Sequence, residues 1–214
     1  MRILGTIAVG MVALLASPAL AALPVVSESR VSWQGCEFSI KVLQDVEQAY
    51  PYPQTLYRIS VQSAVVSPAT CSLTPNTLEL GTSKLMPQIA IAANAEGLAV
   101  AYSFGEYIRS VGNWVRLRVY RLDPSSLGIY RIAGLQASYV PANGGAGMPG
   151  ATSLQELTLH PGYIAVNGTF TGNSVTEDPA TTPWPYPILQ GSRFVAIYPD
   201  FFTWAPQSPR IVTF

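Results

Sequence analysis

Arg116, Arg118, Arg121 and Arg131 fall on one stretch, Asn113 to Ile132, in which Asp123-Pro-Ser-Ser-Leu-Gly128 marks a turn between two strand-like runs. A guanidinium presents a planar fork that grips a carboxylate or sulfate bidentately, so arginines sharing one face of a hairpin would make an acid-binding surface. Arg116, Arg118 and Arg131 are therefore candidate ligand-binding residues. The alternative is a solvated face balanced by Glu106 and Asp123.

A second cluster is aromatic. Thr182-Pro-Trp184-Pro-Tyr186-Pro lies near Tyr198, Phe201, Phe202 and Trp204 in sequence. Rings held by proline lose little entropy on binding and can stack on sugars or on a proline-rich peptide. Trp184, Tyr186 and Trp204 are the candidates, and folding of these rings onto the domain as a lid is the competing reading. Glu177 and Asp178 stand just before this segment. A carboxylate pair flanking a glycan is what glycoside hydrolysis requires, but adjacency does not supply the separation across a bond.

Other catalytic patterns are weak. Gly145-Ala-Gly147-Met-Pro-Gly150 matches a dinucleotide fingerprint in spelling, yet Pro149 sits inside it and no strand–turn–helix context surrounds it. His160 is the only histidine, placed before Pro161-Gly162 as a turn residue. Lys84 follows Gly81-Thr-Ser without the S-x-x-K spacing. The aspartates at 45, 123, 178 and 200 are too scattered for a calcium loop. No catalytic residue, metal or cofactor is expected, and a binding or structural role is favoured over an enzymatic one.

The chain begins MRILGTIAVGMVALLASPALAALP: a basic residue, an apolar run, and small residues to Ala21, the order of a secretory signal over residues 1–21. Retention as an anchor is the alternative. Cys36 and Cys71 are the only cysteines, and a pair in an exported chain reads as a disulfide. With 12 basic against 12 acidic residues, no global field recruits nucleic acid or anionic lipid. The expected location is periplasmic or extracellular, with no stable membrane insertion after signal cleavage.

The elements that position these residues read as strands. Short β-rich runs at 31–46, 55–66, 77–80, 87–92, 97–104, 113–122, 129–132, 135–140, 163–170, 193–197 and 210–214 are separated by turns, in a chain with 18 prolines and 17 glycines. Residues 153–159 fit a strand or one helical turn. This predicts a single all-β domain over 22–214, an antiparallel sandwich or distorted barrel with long Pro/Gly-rich loops. A faint likeness between Gly97-Leu-Ala-Val-Ala-Tyr-Ser-Phe104 and Tyr163-Ile-Ala-Val-Asn-Gly-Thr-Phe170 admits partial propeller-like blades instead. In the latter stretch the Asn167-Gly168 step is expected to bulge or bend the strand.

The function expected is glycan or peptide recognition by an exported, disulfide-stapled β protein. A fimbria-like assembly subunit and a secreted carboxylate-dependent hydrolase are the alternatives. An outer-membrane barrel is disfavoured by the cysteine pair and the proline density.

Overall fold

A computed structural model describes residues 22–49, 51–110, 112–142, 147–179, 188–203 and 207–214. Every regular element among them is a strand. The expected signal at 1–21, Gly145 of the glycine-rich loop, and Trp184, Tyr186 and Trp204 lie outside the described residues.

Three four-stranded antiparallel meanders follow one another along the chain. The first runs β1 (Val25–Trp33), β2 (Cys36–Glu47), β3 (Gln54–Val65) and β4 (Thr77–Ser83) in that spatial order. The second runs β5 (Ile89–Asn94), β6 (Gly97–Ile108), β7 (Gly112–Leu122) and β8 (Ile129–Tyr139), with short β9 (Met148–Pro149) and β12 (Ser174–Glu177) added beside β8. The third is β10 (Ala151–His160), β11 (Tyr163–Thr171), β13 (Arg193–Pro199) and β14 (Arg210–Thr213). One parallel bridge, Val115 to Ala151, ties the third to the second. The expected barrel is thereby corrected, because each sheet ends in unpaired edge strands and does not close on itself.

The middle of the second meander is buried on both faces, and strand alternation sorts its residues between two cores. Leu98, Val100 and Tyr102 of β6, with Tyr120 and Leu122 of β7, join Phe38, Ile40, Ile59 and Val61 of the first meander. Ala99 and Ala101, with Leu117, Val119 and Leu135, face Leu154, Ile164, Val166, Phe170, Phe194 and Tyr198 of the third. Small alanines on the central strands thus meet large rings on the opposing sheet. This explains why GLAVAYSF reads as a continuous apolar run, since neither face meets water from Gly97 to Ser103.

The outer face of the first meander is polar by the same alternation. Arg30 pairs with Glu28 and Glu37, and Arg58 pairs with Asp45 and Glu79. Hydrogen bonds from Arg30 and Arg58 hold the Glu28 and Asp45 carboxyls below the usual carboxylate range. With folded values depressed, the pairing is complete at neutral pH and is lost as the pH falls into the acid range.

The faint repeat has a structural counterpart. Gly97–Phe104 and Tyr163–Phe170 each lie on the second strand of a four-stranded meander, and β2 holds that position in the first. A carboxylate joins two of the hairpin ends: both oxygens of Glu96, in the β5–β6 turn, accept from the Gly162 amide in the β10–β11 turn at 2.9 and 3.0 Å.

Several boundaries differ from the sequence reading. A turn at Gln34-Gly35, with φ of 50° and 74°, cuts the run at 31–46 into two paired strands. Such positive φ at both centres suits a two-residue hairpin whose twist matches its strands. Residues 129–132 and 135–140 fuse into β8, and 153–159 lies within strand β10. The bulge expected at Asn167-Gly168 sits on the partner strand, where the register slips between Leu154 and Glu156.

Gly168 itself faces the core. An added Cβ would stand 1.9 Å from the Ser153 carbonyl oxygen and 2.8 Å from the Phe194 ring. Gly168→Ala is expected to destabilise by about 1–3 kcal/mol, because the nearest clash is with backbone that cannot rotate away. A urea midpoint equal to that of the unmodified protein would contradict this packing.

Candidate ligand-binding site

The first meander does not cover the whole central sheet. Its β4 strand reaches Tyr102 and Tyr120, whose hydroxyls both donate to the Leu80 carbonyl at 3.2 and 3.4 Å. Burial pushes the Tyr102 phenol far above its ordinary value, so it stays neutral. Beyond this row, Phe104, Trp114 and Arg116 form a shelf. Together with Glu47, Lys84 and Glu106 they line an open groove of about 240 Å³ between the two sheets.

Alternation places the shelf. Phe104 pairs with Arg116 and Tyr102 with Arg118 across the β6–β7 ladder, so both arginines project on the same face as the tyrosines. The Arg116 guanidinium lies 4.3 Å from the Trp114 ring centre and 4.7 Å from that of Phe104, and Arg118 lies 5.3 Å from Phe104. Both form ion pairs with one oxygen of Asp178 at 3.4 Å, and Arg116 donates a hydrogen bond to it. The Asp178 side chain is only 9% exposed, and its amide is fixed by the Gly134 carbonyl at 3.0 Å.

These ion pairs are longer than the 2.7–2.9 Å of a well-formed charge-assisted hydrogen bond. Two stacked guanidiniums share one carboxylate, which leaves unused donors on the shelf. Such an arrangement can take an anionic group edge-on and a flat ring against Trp114. Lys84 lies between Glu47 and Glu106 at 4.0 and 3.9 Å, so these three carry one net negative charge and the groove as a whole is balanced.

The four arginines do not act together. Arg121 and Arg131 pair across β7 and β8 and belong to the opposite face of the sheet. Arg131 stacks on Phe201 at 4.6 Å and donates to the carbonyls of Asp200 and Gln207 at 3.4 and 3.1 Å, gripping both ends of the segment that contains Trp204. Partial burial pulls its pKa down. Asp123 is occupied within its own turn, accepting from Ser125 and Ser126.

Glu177 and Asp178 likewise diverge. Asp178 faces Arg116 and Arg118, whereas Glu177 accepts from Ser208 at 3.1 Å on the Tyr198 side of the sheet. Neighbours on an extended chain point to opposite faces, so the two carboxylates do not flank a common bond. His160 stacks on Tyr163 at 4.5 Å across the tip of the β10–β11 hairpin. Among the described residues no group of three His, Cys, Asp or Glu side chains is placed to hold a metal.

Comparison with protein-family models, curated proteins and solved structures finds no match for this chain. The functional reading therefore rests on the site. Trp114 was missed in the sequence reading, although its place two residues before Arg116 on one strand was a signal that could have found it. Phe104 and Asp178 carried no such signal, because their contacts depend on hairpin register and on β12 docking beside β8. The Cys36–Cys71 disulfide is formed, with Cα atoms 5.2 Å apart, and is compatible with an oxidising, exported location. No helix among the described residues is long and apolar enough to cross a membrane.

Proposed function

We propose that the chain is an exported three-layer β-sandwich module that binds a glycan or peptide carrying a carboxylate or sulfate. The reading is carried by one observation: Arg116 and Arg118 share a face, stack on Phe104 and Trp114, and are only loosely paired with Asp178. The acidic group docks on the guanidinium edges and displaces little, because those donors are incompletely used. A ring or proline of the ligand lies against Trp114. Trp184 and Tyr186 follow Asp178 closely in sequence and supply further stacking surface. Nucleic acid is not a partner in this reading, given the balanced charge.

Binding to an array of uronate-containing or sulfated glycans and acidic peptides tests it. Arg116→Ala and Trp114→Ala are each expected to weaken binding about tenfold or more, the scale of losing a desolvated charge-assisted contact. Arg116→Lys retains charge but loses the fork and the stacking, and falls between. Trp184→Ala and Tyr186→Ala lower affinity without moving the thermal midpoint. Affinity unchanged in Arg116→Ala and Trp114→Ala would refute the assignment.

A further inference from the structure

The opposite face of β6 and β7 opens into a second cleft, of about 400 Å³, where the space between the central and third sheets reaches the surface. Ser103, Asn113 and Val115 form one wall, Thr152 and Phe170 the other, and Met86 stands at the rim. The volume falls in the range typical of small-molecule sites, roughly 300–1,000 Å³.

No ionisable side chain lines this cleft, in contrast to the arginine shelf. Its polar groups are hydroxyls and amides with unused capacity. Ser103 is 3% exposed, and its oxygen accepts from the Gln88 amide at 2.8 Å. Its own hydrogen has no acceptor among the described residues. Thr152 is 1% exposed and donates to the Val115 carbonyl at 2.9 Å, which leaves lone pairs on its oxygen. A buried donor and a buried acceptor therefore line one cleft, with the exposed Asn113 amide able to act as either. Val115 on one wall and Phe170 on the other supply apolar contact surface.

We propose that this cleft binds a neutral sugar ring. Adjacent hydroxyls on such a ring accept from Ser103 and donate to Thr152 at the same time, while the C–H face of the ring packs on Val115 and Phe170. A charged ligand would be desolvated here without a counter-charge, which excludes the acidic group assigned to the shelf. The two sites are separate and stand or fall independently.

Met86, 47% exposed, provides a reporter. In protein carrying ¹³C-methyl methionine, titration with glucose, galactose, mannose and N-acetylglucosamine is expected to shift the Met86 signal saturably in the millimolar range for at least one sugar. The Met148 signal, from β9, stays in place. Asn113→Ala, at an exposed position that cannot unfold the chain, and Thr152→Val should each weaken that sugar about tenfold, the equivalent of one hydrogen bond to a buried partner. Binding of acidic ligands at the shelf is unaltered in both variants. No Met86 shift with any of the four sugars would overturn the proposal, as would a shift insensitive to both substitutions. In the first case no sugar binds at the cleft and in the second it binds without Asn113 and Thr152; the arginine shelf is untouched by either result.

Discussion

Replacing Cys36 and Cys71 together by serine is expected to lower the stability of the protein by roughly 4 kcal/mol in the chain-entropy treatment of a loop this long. The bond joins residues 35 apart in sequence. It links the start of β2 to the connection between β3 and β4, a connection that has no regular structure from Cys71 to Asn76. Both cysteines are buried, at 8% and 5% exposure, in the core shared by the first and second meanders. Serine hydroxyls in their place would need partners that this apolar surrounding does not offer, so strain on the core adds to the loss of the cross-link.

Backbone contacts would survive the loss of the bond. The Gly35 carbonyl accepts from the amides of Val66 and Ser67 at 3.0 and 2.8 Å, and Cys71 donates to Ser67. Reduction therefore loosens the first meander without dissolving it. At about 2–4 °C per kcal/mol for a chain of this size, the melting temperature should fall by about ten degrees or more. Calorimetry of the oxidised protein, the dithiothreitol-treated protein and the double variant checks this. Equal midpoints for all three would show that the bond constrains nothing that matters to folding.

Phe194→Ala is expected to cost about 3–5 kcal/mol, the range for deleting a fully buried phenylalanine side chain. Phe194 is 0% exposed and sits opposite Gly168 across the β11–β13 ladder, its ring filling the space that the missing side chain leaves. The wall it packs against, with Ala99, Ala101 and Ala137, belongs to the central sheet. Alanines there cannot grow to fill a void, and strands tied into ladders on both sides cannot collapse into it. Phe194→Leu keeps part of the volume and should lose less than half as much. Urea denaturation of both variants measures the difference. A loss under about 1 kcal/mol in Phe194→Ala would mean that the two sheets do not pack as described.

The two core positions are coupled. In the double variant Gly168→Ala with Phe194→Ala, the new methyl group occupies part of the vacated ring space, so the costs should sum to less than their separate values. The relief stays partial, because the Ser153 carbonyl opposing Gly168 is backbone and remains in place.

How far each feature was legible depends on how local its cause is. Alternating β-branched residues and proline–glycine punctuation identify strands within one short window, and so nearly every strand was visible. The exceptions were β1, whose exposed, charge-rich sequence lacks an apolar stripe because it lies at a sheet edge, and the short β9 and β12, which fell in stretches read as loops. The turn at Asp123–Gly128 was visible for the same local reason, and it closes as expected, with the Asp123 amide on the Gly128 carbonyl at 2.8 Å. The cysteine pair needed only the reach of one hairpin.

By itself the amino-acid sequence determined an all-β chain, its hairpins, its disulfide, and which arginines alternate together: Arg116 with Arg118, because they are two apart on one strand. The tertiary structure alone decided that Arg131 turns away to hold the segment around Trp204, that Asp178 rather than Glu106 answers the arginine pair, and that Glu177 and Asp178 part company. The physical reason is that strand geometry sets which side of a sheet a residue takes from its neighbours alone, whereas what lies on that side depends on which sheet stacks there and how far it extends. Here the end of β4 bonds to Gly105 through Ser83 but leaves Phe104, Trp114 and Arg116 only partly covered, and that keeps the shelf open.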